Sequence, residues 1–250
     1  MDTDIKTETD LEIAKMTKNN ERLETLIGEK TPFAVSEAYK AARTSLLFSN
    51  TTDGCNIIVF TSSSPAEGKT VNCINMGIEL AEAGKKVLIV DSDMRKPQIA
   101  RTLGVAQTPG LSELLSGVSD MAELGNICKK TRYDNLEIIP AGVIPPNPAE
   151  LISCDRMNTL MGLLKEKYDY VLIDTPPALV VTDSLLYRPY ATGYVLIVRA
   201  NKSRRESTMK LVNRLKQVDA HIIGFILNGK KIESKGYGYK NYYKYEYKSE

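Results

Sequence analysis

The chain has no tryptophan, one histidine and only four cysteines among its 250 residues. Cys55, Cys73, Cys128 and Cys154 stand far apart, with no CxxC pair. That spacing excludes the usual zinc sites and predicts small buried hydrophobes in a reducing cytoplasm. Long apolar runs are missing as well: none reaches the roughly 18 residues that cross a bilayer. The opening MDTDIKTETD is acidic and polar, which predicts no secretory signal. Charge of one sign is equally scarce. With 33 basic and 31 acidic residues, the formal charge of +2 gives no ground for a nucleic-acid partner.

What is present is a rhythm of short β-branched runs. NIIVFT, KKVLIVDSD, LEIIPAG, YDYVLIDTPP, GYVLIVRA and HIIGFILN each look buried on both faces, and most alternate with helical segments such as TVNCINMGIELAEAG and RRESTMKLVNRLKQV. Continuous apolar strands alternating with helices predict an α/β fold of three layers, a mainly parallel central sheet flanked by helices. Before the first strand, SEAYKAARTSLLFS predicts a helix from a capping Ser36 to about Ser49. Residues 1–30 read as a mobile arm, 31–229 as the folded α/β domain, and 230–250 as a disordered tyrosine-rich tail. Residues 104–135 are less regular and predict helices and loops packed on one side.

In such sheets ligands bind beyond the carboxyl ends of the strands. The first strand runs into TSSSPAEGKT, and a helix follows. Strand, tight loop and helix around Gly-Lys-Thr are the context of a phosphate-binding P-loop. Ser64, Pro65, Ala66, Glu67, Gly68, Lys69, Thr70 and Val71 would wrap the nucleotide phosphates. Backbone N–H groups and the helix N-terminus supply positive potential, Lys69 reaches phosphate oxygens, and the Thr70 hydroxyl ligates Mg²⁺. One departure is plain: GxxxxGK[ST] has glycine where this chain has Ser63. Two further strands end in Asp91-Ser92-Asp93 and in Asp174, so three carboxylates would converge beside the loop. The pattern predicts Mg·ATP binding, with Asn228 after the last strand as a base contact and no NKxD-type guanine reader. Arg95 would add positive charge or form a surface ion pair.

Several activities share this architecture. Partitioning ATPases of the MinD/ParA kind carry a second lysine early in the loop, where this chain has Ser64. The motifs SEAYKAARTSL, SSSPAEGKT, VLIVDSDMRKP, GVIPPNPAELI and YVLIDTPPALVVTDS, followed by a tyrosine-rich end, together resemble the bacterial tyrosine kinases of capsule and exopolysaccharide synthesis. The resemblance covers about residues 33 to 250. It implies a P-loop NTPase fold and tyrosine autokinase activity with ATP and Mg²⁺. Lys69 and Thr70 would hold phosphate and metal, Asp93 and Asp174 would order the metal shell, and Asp91 would receive or orient the acceptor hydroxyl. It implies a subunit contact in a ring through Glu37, Lys40 and Arg43, where Lys40 replaces the family's middle arginine and lacks its planar fork. It further implies a separate transmembrane activator of the polysaccharide co-polymerase type, a cognate tyrosine phosphatase, and a cytoplasmic protein peripheral to the inner membrane face.

The end of the chain, KGYGYKNYYKYEYKSE, holds Tyr237, Tyr239, Tyr242, Tyr243, Tyr245 and Tyr247 with no aliphatic residue to pack around them. The resemblance makes these the phosphoacceptors. From Asn228 an extended chain reaches Tyr242 over roughly 45 Å, which brings a neighbour's active site within range. Two other uses remain open at this point: stacking on single-stranded nucleic acid through the aromatic and lysine side chains, and an added edge strand from the alternating YKYEYK.

Overall fold

The computed structural model of the protein describes residues 26–28, 30–49 and 54–230. Helix α1 (Phe33–Ser49) precedes strand β1 (Asn56–Ser62), and helix α2 (Lys69–Glu82) follows it. Strand β2 (Val87–Asp91) leads into short helices α3 (Ile99–Leu103), α4 (Leu111–Ser116) and α5 (Leu124–Ile127). Then come β3 (Lys129–Lys130), β4 (Leu136–Ile139), α6 (Pro148–Ile152) and α7 (Asp155–Lys167). Strand β5 (Tyr170–Asp174), a 3₁₀ turn at Asp183–Tyr187, β6 (Gly193–Arg199), α8 (Arg205–Lys216) and β7 (Ile222–Asn228) complete the described chain.

The sheet runs β3-β4-β2-β5-β1-β6-β7. Every pairing is parallel except β3 with β4. The expected three-layer α/β fold is therefore present. Its cause is visible in β1, where all seven residues are buried. Ile57 and Val59 join one core with Leu114, Leu160 and Leu215, while Ile58 and Phe60 join the other with Ile74, Ile78 and Leu46. Because strand side chains alternate between faces, a strand covered on both sides must be apolar at every position. That is why these strands read as unbroken runs rather than alternating ones.

The start of α1 differs from expectation. The helix begins at Phe33, and Ser36 lies within its first turn instead of capping it. The Pro32 carbonyl accepts N–H bonds from Val35 and Ser36 at 2.8 and 3.1 Å, so the first turn winds directly after the proline. Proline's fixed φ suits a helix start, and that local constraint outweighs the capping preference of serine. Among the cysteines, Cys73 and Cys128 are buried, whereas Cys55 and Cys154 are only partly covered. All four are free thiols.

Candidate nucleotide and phosphoryl-transfer site

The loop between β1 and α2 wraps around one buried carboxylate. Glu67, 1% exposed, accepts from the Ser63 hydroxyl on both oxygens, at 3.1 and 3.2 Å, and from Ser64 N at 3.0 Å. The Ser203 hydroxyl, just before α8, donates to the same carboxylate. Ser63, which departs from the usual glycine, thus becomes a partner of Glu67 within the loop. Asn228 Nδ2, at the end of β7, donates to the Glu67 carbonyl at 3.0 Å. Arg199 Nη1 and Lys202 Nζ both donate to the Ala66 carbonyl, at 2.9 and 3.2 Å. Three neighbouring strand ends, those of β1, β6 and β7, therefore hold the loop.

Two loop residues adopt left-handed backbone. Ala66 has φ 59, and Gly68 has φ 97 at the cap of α2. A Cβ at Gly68 would stand 2.0 Å from Asn228 Nδ2, so glycine is required there on both steric and conformational grounds. The motif glycine and the expected base contact touch directly.

Lys69 opens α2 and is buried. Thr70 Oγ1 donates to Asp174 Oδ2 at 2.6 Å. Asp91 and Asp174 are direct partners across the β2–β5 ladder, which places both carboxylates side by side at the strand ends. Burial pushes the Asp174 carboxyl up to about 6, against the opposing pull of Lys69 and the Thr70 hydroxyl. Burial, followed by the Asp174 charge, pushes Asp91 well above the usual carboxylate range. Burial likewise raises Asp93, with Lys69 opposing it. The three predicted carboxylates, Lys69 and Thr70 thus come together.

Asp91 also has a structural task. Its Oδ2 accepts from Gln98 N and Ile99 N at 3.1 and 3.0 Å, which caps α3. Arg95 is in an ion pair: its Nε and Nη2 bond Asp183 Oδ2 and Oδ1 at 2.9 and 3.2 Å. The expected ring-contact residues lie on α1. Glu37 and Lys40 pair with each other at 2.8 Å on the exposed face. Arg43 instead turns toward α2, where it meets the buried Glu79 at 3.0 Å. Val71 lies in the first turn of α2. The six tail tyrosines fall outside the described residues.

A family model described as an AAA domain matches residues 55–226. The chain is 32% identical over 217 residues to the putative tyrosine-protein kinase CapB of Staphylococcus aureus, covering 87% of this chain and 93% of that protein. The chain belongs to the bacterial tyrosine-kinase family. It is also 35% identical over 224 residues to the tyrosine-protein kinase wzc of Salmonella typhimurium, but it spans only 31% of that relative's length. Among solved structures, the kinase domain of Escherichia coli tyrosine kinase ETK superposes with a TM-score of 0.75 at 32% identity. That match covers 82% of this chain and 79% of the ETK chain.

Kinases of this family use ATP with a divalent metal, and the site fits both. Asp91 Oδ1 and Asp174 Oδ1 are buried acceptors with no hydrogen-bond partner. Buried oxygens without donors are costly unless a cation or water satisfies them. Mg²⁺ takes one or two carboxylates and completes its shell with phosphate oxygens and water. Thr70, Asp93 and Asp174 would hold it.

Sequence reasoning did not single out Glu67 as a strut, nor Ser203, Arg199 and Lys202 as its supports. Asp183 and Tyr187 were missed as well. Only Ser63 and Ser64 lie near Glu67 in sequence; the other partners stand more than 80 residues away and leave no spacing signal.

Proposed function

We propose that the protein is an ATP-dependent protein-tyrosine autokinase. It phosphorylates Tyr237, Tyr239, Tyr242, Tyr243, Tyr245 and Tyr247 between subunits and thereby regulates capsular or extracellular polysaccharide synthesis and export. The observation that carries this reading is the junction of loop and carboxylates: the Thr70–Asp174 bond at 2.6 Å, beside the free buried oxygens of Asp91 and Asp174. Family membership supports the choice of tyrosine as acceptor. Ser64, where partitioning ATPases carry a second lysine, supports it further.

In this reading the loop N–H groups and the N-terminus of α2 orient the phosphates, and Lys69 follows the charge that develops on the transferred group. Thr70 of the P-loop, Asp174 at the end of β5 and Asp93 in the turn after β2 would hold Mg²⁺, which would supply positive charge against the phosphates. Asp91, its carboxyl held above the usual carboxylate range, orients the acceptor hydroxyl through its free oxygen, while two backbone donors hold the side chain still. Phosphoryl transfer is mostly positioning and charge stabilisation, so so few groups suffice. Asn228 and the Arg199–Ser203 supports hold the base side of the loop.

The same reading makes the protein a homo-oligomer, with a ring contact through Glu37, Lys40 and Arg43. It pairs the protein with a separate membrane activator of the polysaccharide co-polymerase type and with a tyrosine phosphatase, at the cytoplasmic membrane face. No helix among the described residues is long and apolar enough to cross a membrane. Mass spectrometry after incubation with Mg·ATP and an activator fragment tests the proposal. Phosphate on the tail tyrosines is expected; ATP hydrolysis with no phosphotyrosine would refute it.

A further inference from the structure

We infer that Asp183 and Tyr187 are positioning residues that hold the turn after β2, and with it Asp93, in the geometry needed for metal-dependent phosphoryl transfer. The inference rests on the proposed reading of the site and adds two residues to it. Asp93 sits in the segment DSDMR, and the residues around it are fastened to one element from two sides. On one side, Ser92 Oγ and Tyr187 Oη share a hydrogen bond of 2.6 Å, with the whole tyrosine buried. On the other, Arg95 grips Asp183 with both arms of its guanidinium, at 2.9 and 3.2 Å, and Asp183 is 1% exposed. Both partners belong to the single 3₁₀ turn Asp183–Tyr187.

That turn is itself well fixed. The Ser184 carbonyl accepts the Tyr194 hydroxyl from β6 at 3.0 Å, and helix α6 packs against it. Helix α6 carries the end of GVIPPNPAELI, a motif that the chemistry of the site leaves unexplained. The turn is also tied to the site through the chain, since it follows the TPP segment that leaves β5 at Asp174. Ser92 N donates to the Asp174 carbonyl at 2.9 Å, so the two metal-side strand ends move as one. Between its anchored neighbours, Asp93 is further held by Lys96 N, which donates to Oδ1 at 3.1 Å.

With Asp183 buried and the Arg95 side chain 40% exposed, the pair is a poor source of stability, because solvent screens the guanidinium and the carboxylate is desolvated. A two-toothed grip is better suited to fixing an orientation, since the planar fork accepts one geometry. The P-loop is held elsewhere, by Glu67, Ser203, Asn228, Arg199 and Lys202. Nucleotide affinity and metal placement are therefore separable.

The experiment compares the full chain with Asp183→Asn, Arg95→Gln, their double variant and Tyr187→Phe. A fluorescent ATP analogue is titrated first in EDTA and then in Mg²⁺, and turnover is read as both phosphotyrosine and phosphate release. The Kd in EDTA should match wild type for every variant. The gain in affinity on adding Mg²⁺ should shrink, and turnover should fall about 10–100-fold for Asp183→Asn, as for other losses of metal-supporting contacts. Tyr187→Phe, which removes one hydroxyl and keeps the ring, should move both readouts in the same direction with the fold intact. The double variant should resemble either single one, since the pair acts as a unit. Folded variants with wild-type Mg²⁺ gain and wild-type turnover would overturn the inference. Failure of the kinase reading shows differently: wild type would make no phosphotyrosine, while the Mg²⁺ gain would still report on the struts.

Discussion

Replacing Glu67 by alanine is the sharpest probe of how the loop is built. The change deletes an acceptor that takes donors from Ser63, Ser64 N and Ser203 in a fully buried position. Hydrogen bonds to a charged group are each worth about 1.5–3 kcal/mol, and a buried donor left alone costs about 1–3. The two serine hydroxyls can rotate to new partners, but Ser64 N cannot. The carboxylate's own desolvation cost is recovered when it is removed, which offsets part of the loss. The net destabilisation should be about 3 kcal/mol, which lowers Tm by roughly 6–12 °C in a chain of this size. Because the lost bonds lie inside the phosphate loop, ordering it on binding becomes costlier. Nucleotide affinity should fall about 10–100-fold, at 1.4 kcal/mol per decade. Glu67→Gln, which keeps one acceptor for Ser64 N, should fall between alanine and wild type. Thermal unfolding and titration with a fluorescent ATP analogue read both effects. A folded Glu67→Ala protein with wild-type nucleotide affinity would refute the reasoning.

Other perturbations probe other parts of the structure. Lys69→Met should abolish tyrosine phosphorylation while leaving Tm near wild type, measured by phosphotyrosine immunoblot and calorimetry. Glu113 is pushed up by burial, but N–H donors from Gly110 and Val143, the Glu113 backbone and the Ser112 hydroxyl outweigh this and hold its carboxyl below the usual range. A depressed folded pKa means the stabilisation is present above the unfolded pKa and is lost as pH falls through the folded one. Wild type should therefore exceed Glu113→Gln in Tm near neutral pH, and the gap should close in acid. Changing all six tail tyrosines to phenylalanine should leave ATP binding intact and make the oligomers insensitive to ATP. Dissociation of that variant on ATP addition, seen by light scattering, would place the switch elsewhere. Each phosphate adds about −1.5 to −2 charge to a basic segment, which is the physical basis of the expected release.

Much of this architecture was legible because doubly covered parallel strands leave a local trace. The runs NIIVFT and YVLID could be placed, and with them the residues that follow each strand. The P-loop and Asp91, Asp93 and Asp174 followed from that placement; Asn228 was read as a contact for the nucleotide base, and its bond to the Glu67 carbonyl became visible only in the fold. Short helices such as α3 and α6 left little trace, because one turn and a half has no periodicity to detect. The start of α1 was misplaced because Pro32, directly before Phe33, set the first turn. Glu67 was legible as a loop residue but not as its strut, since its Ser203 donor lies 136 residues away and only the fold brings it to the loop. Tyr187 and Asp183 stand 95 and 88 residues from their partners, so only the folded sheet brings them together.

The central claim is that this P-loop transfers phosphate to tyrosines of its own kind of chain. The most direct test mixes a Lys69→Met chain having an intact tail with an active chain whose six tail tyrosines are phenylalanine. Mg·ATP and an activator fragment are added, and phosphotyrosine is mapped by mass spectrometry. The account predicts phosphate on Tyr237 to Tyr247 of the Lys69→Met chain. ATP hydrolysis with no phosphate on any tail tyrosine would contradict it.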